Sequence, residues 1–303
     1  MSLVENIKTA LDELRMQMLG LQVLFGFQFQ GLFQPGFDSL SDSARMFDAA
    51  GLMLMIIALA ILIGIPCQHR MVEEGESTPR LFSAARLAAN IALGPLAAGF
   101  GCDILVAAVP HFGMRFATAL AMCTVGVAAF GWYGLPYLVR GDIAMQRSSP
   151  MHESQTPLHD KIEQMLTEAR VILPGTQALL GFQMIVMLTS AFSELSRASQ
   201  YIHVAALLAN ASAMILLICP AAVHRMSFGG RDEPRMHTVG SALLTMALAP
   251  LSVSISLDFY VALDRLFDTP NVATAGALLA FILMLFHWYL LPLYIRRRLK
   301  ARS

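Results

Sequence analysis

An all-α integral membrane fold, with eight transmembrane helices arranged as two parallel four-helix repeats, is implied by three features of this chain. Its 303 residues are 56% hydrophobic and only 14% charged, with a mean hydropathy of +0.60, whereas soluble domains carry about a quarter charged residues. Eight apolar stretches reach the ~20 residues that a helix needs to cross hydrocarbon. A displacement of 155 positions lays the second half on the first. Together these rule out a soluble or disordered protein. The 21 Lys+Arg balance 21 Asp+Glu, so no charge excess argues for a nucleic-acid partner; the expected partner is the lipid bilayer.

The opening MSLVENIKTALDELR puts Leu3, Ile7, Leu11 and Leu14 at helical spacing and lacks the apolar core of a cleaved signal peptide. It predicts a short amphipathic helix on the cytoplasmic surface. The spans then follow at residues 16–33, 49–66, 87–109, 116–139, 171–190, 200–220, 238–262 and 272–295. Helices are required because lipid offers no partner to a free backbone N–H or C=O, and no barrel-like alternation is present. A polar stretch with two prolines, residues 143–157, reads as a linker. The repeats are therefore 1–140 and 158–303, joined by 141–157. Of the 21 basic residues, 17 lie on the side holding both termini and four on the other. By the positive-inside rule both termini are cytoplasmic, in an inner membrane.

The duplication matches Glu13, Arg15, Gly20, Gln22, Leu24, Gly26, Phe27 and Gln28 with Glu168, Arg170, Gly175, Gln177, Leu179, Gly181, Phe182 and Gln183. It also matches His69-Arg70 with His224-Arg225, Pro95 with Pro250, and Asp103 with Asp258. One inserted residue later, Trp132-Tyr133 matches Trp288-Tyr289. An even number of spans per repeat gives both copies one orientation, so any pseudo-two-fold axis runs along the membrane normal.

The ELRxxxxGxQxLFGF opening, the PxxxHR of Pro220 to Arg225 and the Asp late in each third span resemble a bacterial membrane-protein family that is a domain of unknown function. Its members are single four-span units of about half this length, so the resemblance implies a tandem fusion of two units. Some members carry the automatic label sodium/proton antiporter. Departures are the spacing from Pro66 to His69, one residue shorter than in the second copy, and Leu173-Pro174-Gly175, which stands where the first copy has Met18-Leu19-Gly20.

Asp103 and Asp258 are the carboxylates placed inside spans, and a charged carboxylate in hydrocarbon must face a partner, a cavity or a proton. They are the candidate proton or cation sites, each downstream of a proline, Pro95 or Pro250, that frees carbonyls of the preceding turn. Structural clasps near the interface are the alternative reading. Gln22 and Gln177 fall on one stripe with Arg15 and Gly26, or Arg170 and Gly181, and serve either helix packing or a pathway lining. Glu13, Arg15, His69, Arg70, Glu168, Arg170, His224 and Arg225 gather at the cytoplasmic ends as anchors or as a gate. No CxxC or CxxCH occurs, and neither metal, haem nor other cofactor is expected. Nucleotide-binding and hydrolase motifs are absent too, so no enzyme is expected. The functional expectation is a proton- or cation-coupled transporter using both aspartates, for protons or small monovalent cations. A non-transporting scaffold is the alternative.

Overall fold

The computed structural model describes residues 3–134, 156–228 and 232–301, and among them every regular element is helical. Helix α1 spans Leu3–Gly31. Its first 17 residues contain neither Gly nor Pro, so the amphipathic start runs into the apolar segment without a break. At 29 residues it is about 44 Å long, against a hydrocarbon core of about 30 Å. Leu3, Ile7, Leu11 and Leu14 are buried in the bundle. This corrects the expected surface helix: the apolar stripe faces protein, because it belongs to one unbroken helix packed within the bundle. Helix α5, Leu158–Val186, repeats the arrangement with Ile162 buried.

Helix α2 covers Asp42–Met71, and the Ser41 side chain accepts from the Ala44 N–H to close its first turn. The next element, Pro79–Ala129, is helical throughout except at Gly113, where φ is 75°. There it folds back on itself into α3 (residues 79–112) and α4 (114–129), the latter prolonged by the π turn Phe130–Gly134. Two contacts prove the reversal. Gly101 lies directly under Val125, and the Tyr133 hydroxyl donates to the Asn90 carbonyl at 2.6 Å. The second repeat is built likewise from α6 (Arg197–Met226), α7 (Pro234–Phe267) and α8 (Pro270–Leu285), which passes through a π turn, Phe286–Leu290, into Leu291–Lys300. Asp268, the counterpart of Gly113, also has positive φ, 49°. Tyr289 donates to the Thr245 carbonyl at 2.6 Å, as Tyr133 does to Asn90.

Six described helices are long and apolar enough to cross a membrane: α2, the folded Pro79–Gly134 element, α5, α6, α7 and α8 with its extension. Helix α1 is more polar, holding Gln17, Gln22, Gln28 and Gln30. The end of the fourth expected span and nearly all of the linker lie outside the described residues.

Helices α1 and α5 run side by side in one direction. Lys8 meets its own counterpart Glu163 at 3.3 Å, and Phe27 meets its counterpart Phe182 with ring centroids 4.6 Å apart. Close approach is allowed because Gly26 lies under Phe182 and Gly175 under Gln22. The symmetry breaks at the fourth helix of each repeat. Trp288 is fully buried and donates to the Ala60 carbonyl of α2 at 3.1 Å, while Trp132 stays 37% exposed. Gly64 accepts the backbone of His287 beside it, whereas its counterpart in α6 is Cys219.

Candidate functional site

At the end of the bundle opposite the N-terminus, each repeat brings together a residue from its first, second and third helices, at positions 155 apart. In the first repeat these are Gln28, Asp48 and Asp103, and in the second Gln183, His203 and Asp258. The shared glutamine and third-helix aspartate keep the frame, while the second-helix residue changes from carboxylate to imidazole. The two sites have consequently become chemically different.

In the first site the Gln28 amide donates to the Asp48 carbonyl at 2.9 Å and lies 3.4 Å from Asp48 Oδ1. Gly51, one turn below Asp48, holds α2 close enough that an added methyl there would stand 2.6 Å from Gln28 Nε2 and 3.4 Å from Asp103 Oδ1. Asp48 is 4% exposed, yet its Oδ2, like Asp103 Oδ1 and Gln28 Oε1, has no hydrogen-bond partner among the described residues. Both aspartates line a cavity of about 710 Å³ whose other walls are mostly apolar. Phe27, Phe37, Phe100 and His111 are among its lining residues, and no Lys or Arg is. Two desolvated carboxylates in one cavity require a cation or a shared proton.

The second site is filled. Gln183 donates to Asp258 Oδ2 at 2.7 Å and to Ser254 Oγ at 3.0 Å, and accepts from Asn210 at 3.0 Å. His203 Nε2 is 2.9 Å from the Gln183 carbonyl, and its Nδ1 is 3.6 Å from Asp258 Oδ1. Both His203 and Asp258 are fully buried. The imidazole is held between Phe29 of α1, stacked at 5.7 Å, and Phe192, edge-on at 5.5 Å. Three changes remove the space found in the first repeat. Val186 replaces Gly31, Leu266 replaces His111, and Arg265 replaces Pro110. Arg265 reaches across to Asp38 at 2.6 Å and so fastens the Pro35–Ser39 turn that supplies Phe37 to the cavity wall.

The remaining sequence-derived candidates divide between the repeats as well. Gln22 is buried against Gly175 and does not line the cavity, whereas Gln177 is exposed. Arg15 is buried, bonded to Asp12 at 2.6 Å and to the Gln164 carbonyl at 3.0 Å, while Arg170 is exposed. The shared polar stripe thus packs inward in α1 only, because α5 turns a different face, with Gln164, Glu168, Gly175 and Gln183, toward its neighbours. Pro95 and Pro250 are half-buried, their helices continue through them, and Pro95 is not among the residues around the cavity.

At the N-terminal end, Arg70 forms a buried ion pair with Glu168 across the repeats and also donates to Thr245 Oγ1 at 3.3 Å. His69 beside it is buried, so this His-Arg pair lies inside the protein and does not reach for headgroups, and Arg70 is the member that fastens helices. The counterparts Glu13 and Arg225 are exposed, and His224 stands 3.8 Å from Asp232. Nearby in the 72–78 loop, Glu76 takes an ion pair from Lys161 and accepts from the Thr156 N–H at 2.9 Å. Partial burial alone would push its carboxyl up, but these bonds outweigh it and hold the carboxyl below its ordinary value.

Asp48 and His203 are the candidate positions that the sequence reading passed over. Asp48 lies one residue outside the expected span, and a comparison by identity hides an Asp that matches a His. Among the described residues no group of three or more His, Cys, Asp or Glu gathers as a metal site. Comparison with curated proteins and with solved structures gives no match. The family pattern itself occurs twice, over residues 3–136 and 152–292, and the chain belongs to the family of unknown function DUF6328 as a tandem duplication of its unit.

Proposed function

We propose that this is an eight-span inner-membrane protein with both termini in the cytoplasm, acting as a proton- or cation-coupled transporter whose binding station is the Asp48–Asp103 cavity. The observation that carries this reading is the contrast between the two sites. Two carboxylates, with no Lys or Arg beside them, line open space in the first repeat, while in the second a single carboxylate is fully buried, bonded to Gln183 and set beside His203. Buried carboxylates are expensive in a membrane and mark ion or proton pathways when no partner is supplied. The folded Pro79–Gly134 element supports counting α3 and α4 as separate spans, since a 56-residue rod would be about 84 Å long.

In this reading the cavity faces outward. The cytoplasmic end is held shut by the bonds that tie the repeats together: Lys8 to Glu163, Arg15 to the Gln164 carbonyl, and Arg70 to Glu168. Helix α1 presents Gln28 to the open site and Phe29 to His203 of the closed one. A tilt of α1 against α5 would therefore change both sites together. The closed network favours a structural role for the second repeat's polar residues, which departs from two equivalent aspartate carriers.

Proton and sodium flux in proteoliposomes under an imposed pH gradient tests this. Wild-type flux is expected to fall to background in the Asp48→Asn, Asp103→Asn double variant. Full flux in that folded variant, or none from folded wild type, would refute the transporter and leave the scaffold reading.

A further inference from the structure

The size and chemistry of the cavity say more than that a positive charge belongs there. A small metal ion needs several oxygens converging at about 2.0–2.6 Å, whereas here two carboxylates sit in one wall of a space of about 710 Å³. That volume is on the order of twenty water molecules and falls in the range of pockets for drug-sized ligands. Phe27, Phe37 and Phe100 line the space with Asp48 and Asp103. Aromatic faces attract a cation through the ring quadrupole while also burying apolar groups. Phe27 is 57% exposed on the outside of the bundle, so the cavity borders the surface that lipid would cover.

Resting on the reading of Asp48 and Asp103 as a cation station, we infer that the cavity takes a lipophilic organic monocation, a single ammonium- or phosphonium-type charge carrying aromatic or branched apolar groups. The charge lies toward Asp48 and Asp103, and the apolar groups lie against the phenylalanines. The occupant trades bulk water for ring faces and apolar wall, which a sodium ion could not do. The second repeat is the internal control, since Val186 and Leu266 stand at the corresponding positions and His203, 3.6 Å from Asp258, replaces the second carboxylate.

Binding of radiolabelled tetraphenylphosphonium to the full chain in phosphatidylglycerol nanodiscs tests the inference. Tetraphenylborate, of the same shape and opposite charge, serves as the control. Saturable binding of the cation is expected, without competition by the borate. Affinity should fall at least about tenfold in Asp48→Asn or Asp103→Asn and roughly two- to thirtyfold in Phe100→Ala. Gly31→Val narrows the space with both charges kept. No atom beyond its own helix backbone and chain neighbours lies within 4 Å of the added Cβ, so this variant should fold and still lose binding.

Equal binding by wild type and the double aspartate variant would overturn the inference. Displacement of the cation by added phosphatidylcholine would overturn it too, by assigning the site to a lipid headgroup. Carboxylate-dependent proton or sodium flux without carboxylate-dependent phosphonium binding would sink the substrate class while leaving the station standing. Carboxylate-dependent binding without any flux would uphold the substrate class and remove the transporter.

Discussion

His203→Leu is expected to destabilise the protein by about 3–5 kcal/mol, the cost of leaving a buried charge without its partner. Asp258 is fully buried, and its remaining bond from Gln183 at 2.7 Å is a neutral amide. The ring contacts with Phe29 and Phe192 would go as well. Asp103→Asn, at the position equivalent to Asp258, is expected within about 0.5 kcal/mol of wild type, or more stable. It removes one of two like charges that share a cavity and keeps the shape. Scanning fluorimetry of the purified protein in detergent would compare the two variants. An apparent Tm of His203→Leu equal to wild type would mean that the second network is no clasp.

Glu168→Ala carries the second large effect, again about 3–5 kcal/mol, because Arg70 would stay buried with only Thr245 and Cys67 as neutral partners. Glu13→Ala, the same residue type at the equivalent position, is exposed and should change stability by less than about 0.5 kcal/mol. Replacing both members of the buried pair, as Arg70→Met with Glu168→Leu, should recover most of the loss, since an apolar pair fills the space without a desolvated charge. Thermal unfolding of the three variants reads this directly. Similar losses in Glu168→Ala and Glu13→Ala would show that the repeats are joined more symmetrically at this end.

Much of the architecture was legible because hydropathy and the 155-residue displacement are properties of long segments. The turn at Gly113 and its counterpart Asp268 fall between expected spans, and the one-residue insertion follows them. Contacts made within a repeat, such as Tyr133 with Asn90 and Tyr289 with Thr245, also keep their equivalence. Contacts between repeats were not legible. Nothing in the motif shared by residues 13–28 and 168–183 says that Arg15 and Gln22 turn inward while Arg170 and Gln177 turn out. That difference arises from how α1 sits against α2, α3, α5 and α7, and one helix can occupy the centre only once.

The chemical divergence of the two sites was written in residues that do not match. Asp103 and Asp258 are identical in the alignment of the halves, yet their surroundings differ through Gly31 and Val186, Asp48 and His203, Met55 and Asn210, Gly99 and Ser254, and His111 and Leu266. Each change is unremarkable alone. Summed around one point, they turn an open acidic cavity into a closed, hydrogen-bonded network.

Carboxyl labelling tests that divergence most directly. Dicyclohexylcarbodiimide, an apolar reagent that attacks carboxyl groups within membranes, would be applied to the folded protein in lipid and the modified residues located by mass spectrometry. The account predicts an adduct at Asp48 or Asp103, suppressed by tetraphenylphosphonium, and none at Asp258. Labelling of Asp258 at the same rate as the first-repeat aspartates would contradict it.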